Sequence, residues 1–187
     1  MKNLKTIAIA FFVAVATIAT AQTKKIDVSK SSIHWVGKKV TGQHEGTVNL
    51  KDGFLVFKGT KLTGGTFNVD MTSMTSTDLT GEYLGKLNGH LKSEDFFGTE
   101  KYPTAKLVFK KIADKKNGVY TVTADLTIKD VTGPVTFDIT VKANTATTAL
   151  KIDRTKYGIK YGSGSFFDNL GDKTINDDFE LTVALKF

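Results

Sequence analysis

The sequence predicts an all-β fold: a closed antiparallel barrel of about eight strands with one short helical insertion. Three observations lead there. Apolar and polar residues alternate with period two over most of the chain, the mark of strands buried on one face. Asn-Gly and Asp-Gly pairs punctuate the alternating runs, as hairpins require. A single stretch, Leu79 to Leu91, follows helical spacing instead.

The first residues read as an export signal. Lys2 and Lys5 precede an uncharged apolar run from Ile7 to Ile18, and Ala19-Thr20-Ala21 supplies an A-x-A cleavage site. The run has 12 residues, whereas a spanning helix needs roughly 20; an uncleaved anchor is the alternative. Residues 1–21 are therefore expected to be a signal peptide, and residues 22–187 the mature domain. Removing 21 of 187 residues leaves 166, enough for one domain with a real core. The chain has no cysteine, so it must hold together without disulfides and offers no thiol nucleophile or thiolate metal site.

Strands follow in order. Ile33 and Trp35 share a face, as do Val48 and Leu50. Phe67, Val69 and Met71 alternate next, then Ala105, Leu107 and Phe109, and then Tyr120 through Ile128. Val135, Phe137, Ile139 and Val141 form the cleanest run, and Phe179 through Phe187 the longest. Asp52-Gly53, Asn117-Gly118 and Thr132-Gly133-Pro134 are expected turns. Leu79, Tyr83, Leu84, Leu87 and Leu91 predict a helix after a cap at Asp78. Gly81, Gly85 and Gly89 weaken it by about 1 kcal/mol each relative to alanine, so packing on the sheet is expected to hold it. Ser93 to Phe97 reads as a second capped turn. A sheet this large must protect its edges, and closure removes them.

Catalytic chemistry is hard to build from these residues. Gly162-Ser163-Gly164-Ser165 lacks the G-x-S-x-G spacing and reads as a flexible loop. His34, His44 and His90 have no partner at metal-ligand spacing. Asp177 and Asp178 are adjacent, and adjacent strand residues point to opposite faces. The formal charge of +7, or +5 without the two leader lysines, is scattered among acids and predicts a solvated surface rather than a nucleic-acid site.

One cation stands apart. The chain has 25 lysines and a single arginine, Arg154, on the parity of Leu150 and Ile152. It is expected to face inward, either paired with Asp177 or at the rim, or else to anchor a polar or phosphate head group. The face carrying Phe67, Val69, Leu107, Phe109, Val122, Leu126, Phe137 and Ile139 is expected to line any cavity. Two adjacent aromatic pairs, Phe96-Phe97 and Phe166-Phe167, fall outside clear strands. They predict either a plug or the lip of an apolar cavity.

His90-Leu91-Lys92-Ser93-Glu94-Asp95-Phe96-Phe97, followed by Tyr102-Pro103, resembles the H-L-x-S-x-D-F-F…Y-P segment of the YceI-like family. Leu126-Thr127-Ile128-Lys129-Asp130-Val131-Thr132-Gly133-Pro134-Val135 is similar to that family's L-T-I-x-G-V-T-x-P-V segment, and Asp153 to Gly158 to its R-x-x-(aromatic)-G segment. The three occur in the family's order, and the likeness runs from about Ser31 to Phe187. Asp130, Gly98 and Asn88-Gly89 depart from the pattern. The resemblance implies a lipocalin-like barrel, exported to the periplasm, that binds polyisoprenoids or other long-chain amphiphiles.

The expected function is therefore an exported protein that holds a long-chain isoprenoid or other lipid for transport, storage or sequestration. Its binding residues would be Trp35, Phe67, Val69, Phe96, Phe97, Leu107, Phe109, Val122, Leu126, Phe137, Ile139 and Arg154. The alternative is a structural or stress-related envelope protein with a filled barrel and no ligand. An enzyme acting on such a lipid ranks behind both. No cofactor, metal, nucleic acid or stable membrane insertion of the mature chain is expected. Location is expected to be periplasmic, with secretion as the alternative, and the sequence leaves open whether two chains pair as a homodimer.

Overall fold

The computed structural model describes residues 20–187; the apolar run Ile7–Ile18 lies outside the described residues. Nine strands and one α-helix occur among those described: β1 (Ala21–Lys25), β2 (Ser32–Lys39), β3 (Gly42–Lys58), β4 (Lys61–Ser76), α1 (Gly81–Lys92), β5 (Thr104–Asp114), β6 (Val119–Ile128), β7 (Val131–Lys142), β8 (Thr145–Asp153) and β9 (Ile175–Lys186). Each strand from β2 to β9 pairs antiparallel with its successor, and β9 returns to β2. The result is a closed eight-stranded barrel. β1 is accessory. It pairs with Phe54–Lys58 of β3, beyond the stretch of β3 that β2 covers.

Period two explains why these strands close. In β6, the inward Tyr120, Val122, Ala124 and Ile128 are buried while their neighbours are part-exposed. β3 and β4 are long enough to need bending, and their mutual register shifts three times, between Thr47 and Asn49, Leu50 and Asp52, and Val56 and Phe57. Such bulges add the local twist that barrel walls need. At the first, buried Gly46 is obligatory for space. A Cβ there would sit 2.0 Å from the Thr75 carbonyl oxygen and 2.5 Å from the Trp35 ring.

Several expected turns fall elsewhere. Asn117-Gly118 does join β5 to β6, with positive φ at Lys116, Asn117 and Gly118. Asp52-Gly53, by contrast, lies inside β3. Its glycine is needed because a Cβ would come within 2.7 Å of the Phe67 ring, not because the chain reverses. Thr132-Gly133-Pro134 lies inside β7. The chain reverses one step earlier, at Lys129 and Asp130, both at positive φ. Pro134 is tolerated because β8 pairs only Ile139–Lys142 of β7, so its missing N–H breaks no rung on that side. This short pairing leaves a seam in the wall. Val131–Asp138 of β7 and Ala149–Asp153 of β8 do not hydrogen-bond to each other as a ladder, and the buried Tyr157 packs over Gly133 beside the gap.

The helix starts at Gly81 with Thr80, not Asp78, at its N-cap. Nor does it bury a face on the sheet: none of its residues is buried. It is moored instead by Asn88, whose Oδ1 accepts from the Ser76 amide and whose Nδ2 donates to Thr75 Oγ1, both at 2.9 Å, and by Leu91 against the core. Asp78 serves the sheet. It accepts from Ser76 Oγ at 2.6 Å and from the Glu45 amide at 3.2 Å, and lies 2.8 Å from His44 Nδ1. Burial opposes ionising this carboxyl, but those bonds prevail and lower it from 3.8 to about 2. A depressed carboxyl stabilises the fold fully above its unfolded value and loses that contribution as pH falls through its folded value. Urea melts should therefore show wild type losing stability from 3.8 down to about pH 2 more steeply than Asp78→Asn; parallel curves would exclude this role.

Candidate ligand-binding cavity

The inward faces of the eight strands do not fill the barrel. At one end Leu55, Val122 and Ala146 are fully enclosed, with Tyr120 and Phe57 nearly so, and Phe57 meets Phe187 at 5.7 Å between ring centroids; these side chains form a floor. Above this floor lies an internal cavity of about 190 Å³. On β9 its wall runs from Ile175 to Leu185, roughly 33 Å of strand at about 3.3 Å per residue. Small-molecule pockets commonly enclose ~300–1,000 Å³, so a void of about 190 Å³ drawn out along a strand suits a thin chain rather than a broad ring system.

Trp35, Phe67, Val69, Leu107, Phe109, Leu126, Phe137 and Ile139 all lie on the cavity wall, and Phe96, Phe97 and Arg154 stand at its mouth. Phe109 links Phe67, at 5.5 Å, to Phe137, at 6.0 Å. Val122 does not reach the cavity; it faces inward but belongs to the packed floor. The β8–β9 wall went unassigned in the sequence, although Leu150, Ile152, Leu181 and Val183 line the void and show the same alternation. Met71, Met74 and Leu91 complete the upper wall. Leu91 was visible as the last apolar residue of the helical repeat.

Arg154 is 3% exposed. β8 ends at Asp153 and the chain winds into a 3₁₀ turn, Arg154–Tyr157, which swings the guanidinium across the end of β9. Nε donates to Asn176 O at 3.0 Å, Nη1 to Ile159 O at 2.9 Å and Nη2 to Ile175 O at 3.1 Å. Asp177 Oδ1 is 3.7 Å from Nη2, too long for a hydrogen bond, so backbone carbonyls rather than the acid are the main partners. Burial lowers the guanidinium's pKa, and Asp177 and Asp153 offset part of that. Burial likewise opposes ionising Asp177, but the Ser163 and Ser165 hydroxyls and the Arg154 charge hold it below the usual carboxylate range. Ser163 is fully buried, and its carbonyl accepts the Phe166 and Phe167 amides. The Gly162–Ser165 stretch is thus an ordered turn, not a flexible loop.

The histidines lie apart, each near one acid: His34 with Glu45 at 3.8 Å, His44 with Asp78 at 2.8 Å, and His90 with Asp95 at 3.5 Å. No metal-ligating cluster occurs among the described residues. At the mouth, the His90 ring stands edge-on to Phe96 at 4.9 Å and to Tyr161 at 4.5 Å. Lys129 Nζ donates to the Glu94 and Phe96 carbonyls at 2.9 and 2.8 Å, tying the β6–β7 turn to the phenylalanine pair. The Arg154 guanidinium lies 5.9 Å from the Phe96 ring centroid.

A family model described as the YceI-like domain matches residues 25–187. The chain belongs to the YceI-like family. Among curated relatives, a UPF0312 protein of Shewanella denitrificans is 36% identical over 100 residues, 54% of this chain and 48% of the relative. A UPF0312 protein of Staphylococcus aureus is 34% identical over 111 residues, 54% of this chain and 60% of the relative. The match thus spans about half the length of the first relative. The YceI-like fold recurs in solved structures. BcnA of Burkholderia cenocepacia superposes with a TM-score of 0.69 at 24% identity, covering 86% of this chain and 98% of that one. A polyisoprenoid binding domain from Saccharophagus degradans gives 0.62 at 16% identity, covering 86% and 95%. A YCEI protein of Campylobacter jejuni gives 0.57 at 15% identity, covering 100% and 98%. In this YceI-like chain, the three segments that carried the resemblance meet at the cavity mouth, through Phe96, Lys129 and Arg154.

Proposed function

We propose that this protein is an exported, periplasmic carrier that holds one long-chain isoprenoid or similar amphiphilic lipid in its barrel, for transport, storage or sequestration. The observation that carries the proposal is the cavity itself, a continuous apolar void with a packed floor and a mouth at the other end. The fold shared with the polyisoprenoid binding domain of Saccharophagus degradans supports the same ligand class. A filled structural barrel would have no such void. Two charged residues line the cavity, Arg154 and Asp178; binding is preferred to catalysis because the guanidinium is committed to backbone carbonyls.

Protein purified from its own host, extracted with organic solvent and analysed by mass spectrometry, should release a long-chain species in near-stoichiometric amount. Extracts without one, together with no uptake of added prenol, would overturn the carrier reading. Intact mass on the same sample tests export: the mature chain should begin at Gln22.

A further inference from the structure

The lip around the mouth exposes large apolar side chains. Val40 is 62% exposed, Tyr161 45%, Phe166 47% and Phe167 52%. They come from two adjoining segments, the β2–β3 turn and residues 158–174. The Val40 amide donates to Thr174 O at 3.2 Å and the Ile175 amide to Gly162 O at 2.8 Å, so both segments sit on the same rim. Tyr161 also packs on Phe96, which stands at the mouth. Single exposed apolar residues are ordinary, but a group gathered at one place marks an interaction surface. The group is ordered, because the buried Ser163 holds the backbone of both phenylalanines.

The charges beside it point to the partner. Exposed Lys39, Lys160 and Lys173 stand on this lip against Asp168 and Asp172, and Lys160 Nζ lies 4.4 Å from the Phe166 ring centroid. Without the two leader lysines the chain carries +5. Aromatic rings with flanking lysines suit a lipid interface, where rings enter the headgroup layer and ammonium groups stay with anionic phosphates.

We propose that this lip docks on an anionic phospholipid bilayer, with the cavity mouth against the membrane, so that a lipid passes between bilayer and barrel without crossing water. The inference rests on the carrier reading and adds the surface from which the ligand is loaded. Docking is reversible, since two phenylalanines and a few lysines are far less than a spanning segment supplies.

The test is flotation of the protein, purified from its own host as the chain that the carrier reading begins at Gln22, with vesicles of phosphatidylglycerol and phosphatidylethanolamine, beside phosphatidylcholine vesicles, with uptake of a fluorescent long-chain prenol from detergent micelles measured in parallel. The apolar run Ile7–Ile18 then takes no part in flotation. Wild type should float with anionic vesicles, less so at high salt. The double variant Phe166→Ser/Phe167→Ser should partition at least about tenfold more weakly, with micelle uptake unchanged. Lys160→Glu/Lys173→Glu should lose the preference for anionic vesicles. Wild type that does not float, or serine variants that float equally well, would overturn the docking surface. A serine variant that loses micelle uptake as well would also count against it, because the lip would then serve the cavity directly. Micelle uptake by wild type reports on the carrier reading alone, so failure of either idea is seen separately.

Discussion

Replacing Arg154 with alanine should lower stability by about 3–5 kcal/mol, the range for removing one partner of a buried charged network. The guanidinium serves three carbonyls, on Ile159, Ile175 and Asn176. Without it those acceptors lose their donor, and Asp177 Oδ1, buried and without a hydrogen bond among the described residues, loses its nearest counter-charge. A ligand-free urea melt should show the loss as a lower midpoint with a similar slope. Arg154→Lys should recover only part of it, because one ammonium cannot reproduce a planar fork aimed at three oxygens. An unchanged midpoint combined with weaker lipid binding would instead assign Arg154 to the head group.

Ala105→Phe should remove lipid binding, by at least about tenfold, while the protein stays folded. Ala105 lies on the cavity wall opposite Val69 of β4, so a phenyl ring there projects into the void of about 190 Å³. Overpacking a dense core costs ~1–3 kcal/mol, but here the added ring meets empty space and the loss should fall at the low end or vanish. Val122→Ala is the informative contrast. It trims the packed floor, so it should destabilise through a new cavity and leave lipid uptake intact. Prenol titrations beside thermal melts separate the two. Ala105→Phe protein that binds as wild type would show that the ligand site lies elsewhere.

How far the sequence reached can be seen residue by residue. Period two identified which side of each strand faces inward, because burial on one face leaves that imprint directly. It carried no information about height along the barrel. Val122 and Ile139 share the same reading, yet one is floor and the other wall, a difference set by strand tilt and by which distant strands meet at that level. The Asp52-Gly53 error has a related cause. Glycine serves both positive φ and close packing, and only the approach of Phe67 from β4 tells which use applies. Arg154 was read correctly as inward. Its partners were not legible, because the oxygens it binds become neighbours only once β8 ends and the chain turns back toward β9. Asp78 looked like a helix cap, but its partners on β3 lie more than thirty residues away.

The short pairing between β7 and β8 bears on how rigid the vessel is. A barrel with a full ladder around its circumference has a girth fixed by strand number and stagger, and widening it breaks hydrogen bonds. Here the ladder on that side is confined to Ile139–Lys142 and Thr145–Thr148. Beyond it the two strands are kept together by side chains such as Tyr157, which can slide without a rung being lost. The wall therefore has a compliant longitudinal joint. Its girth can change there without the loss of hydrogen bonds that a full ladder would impose.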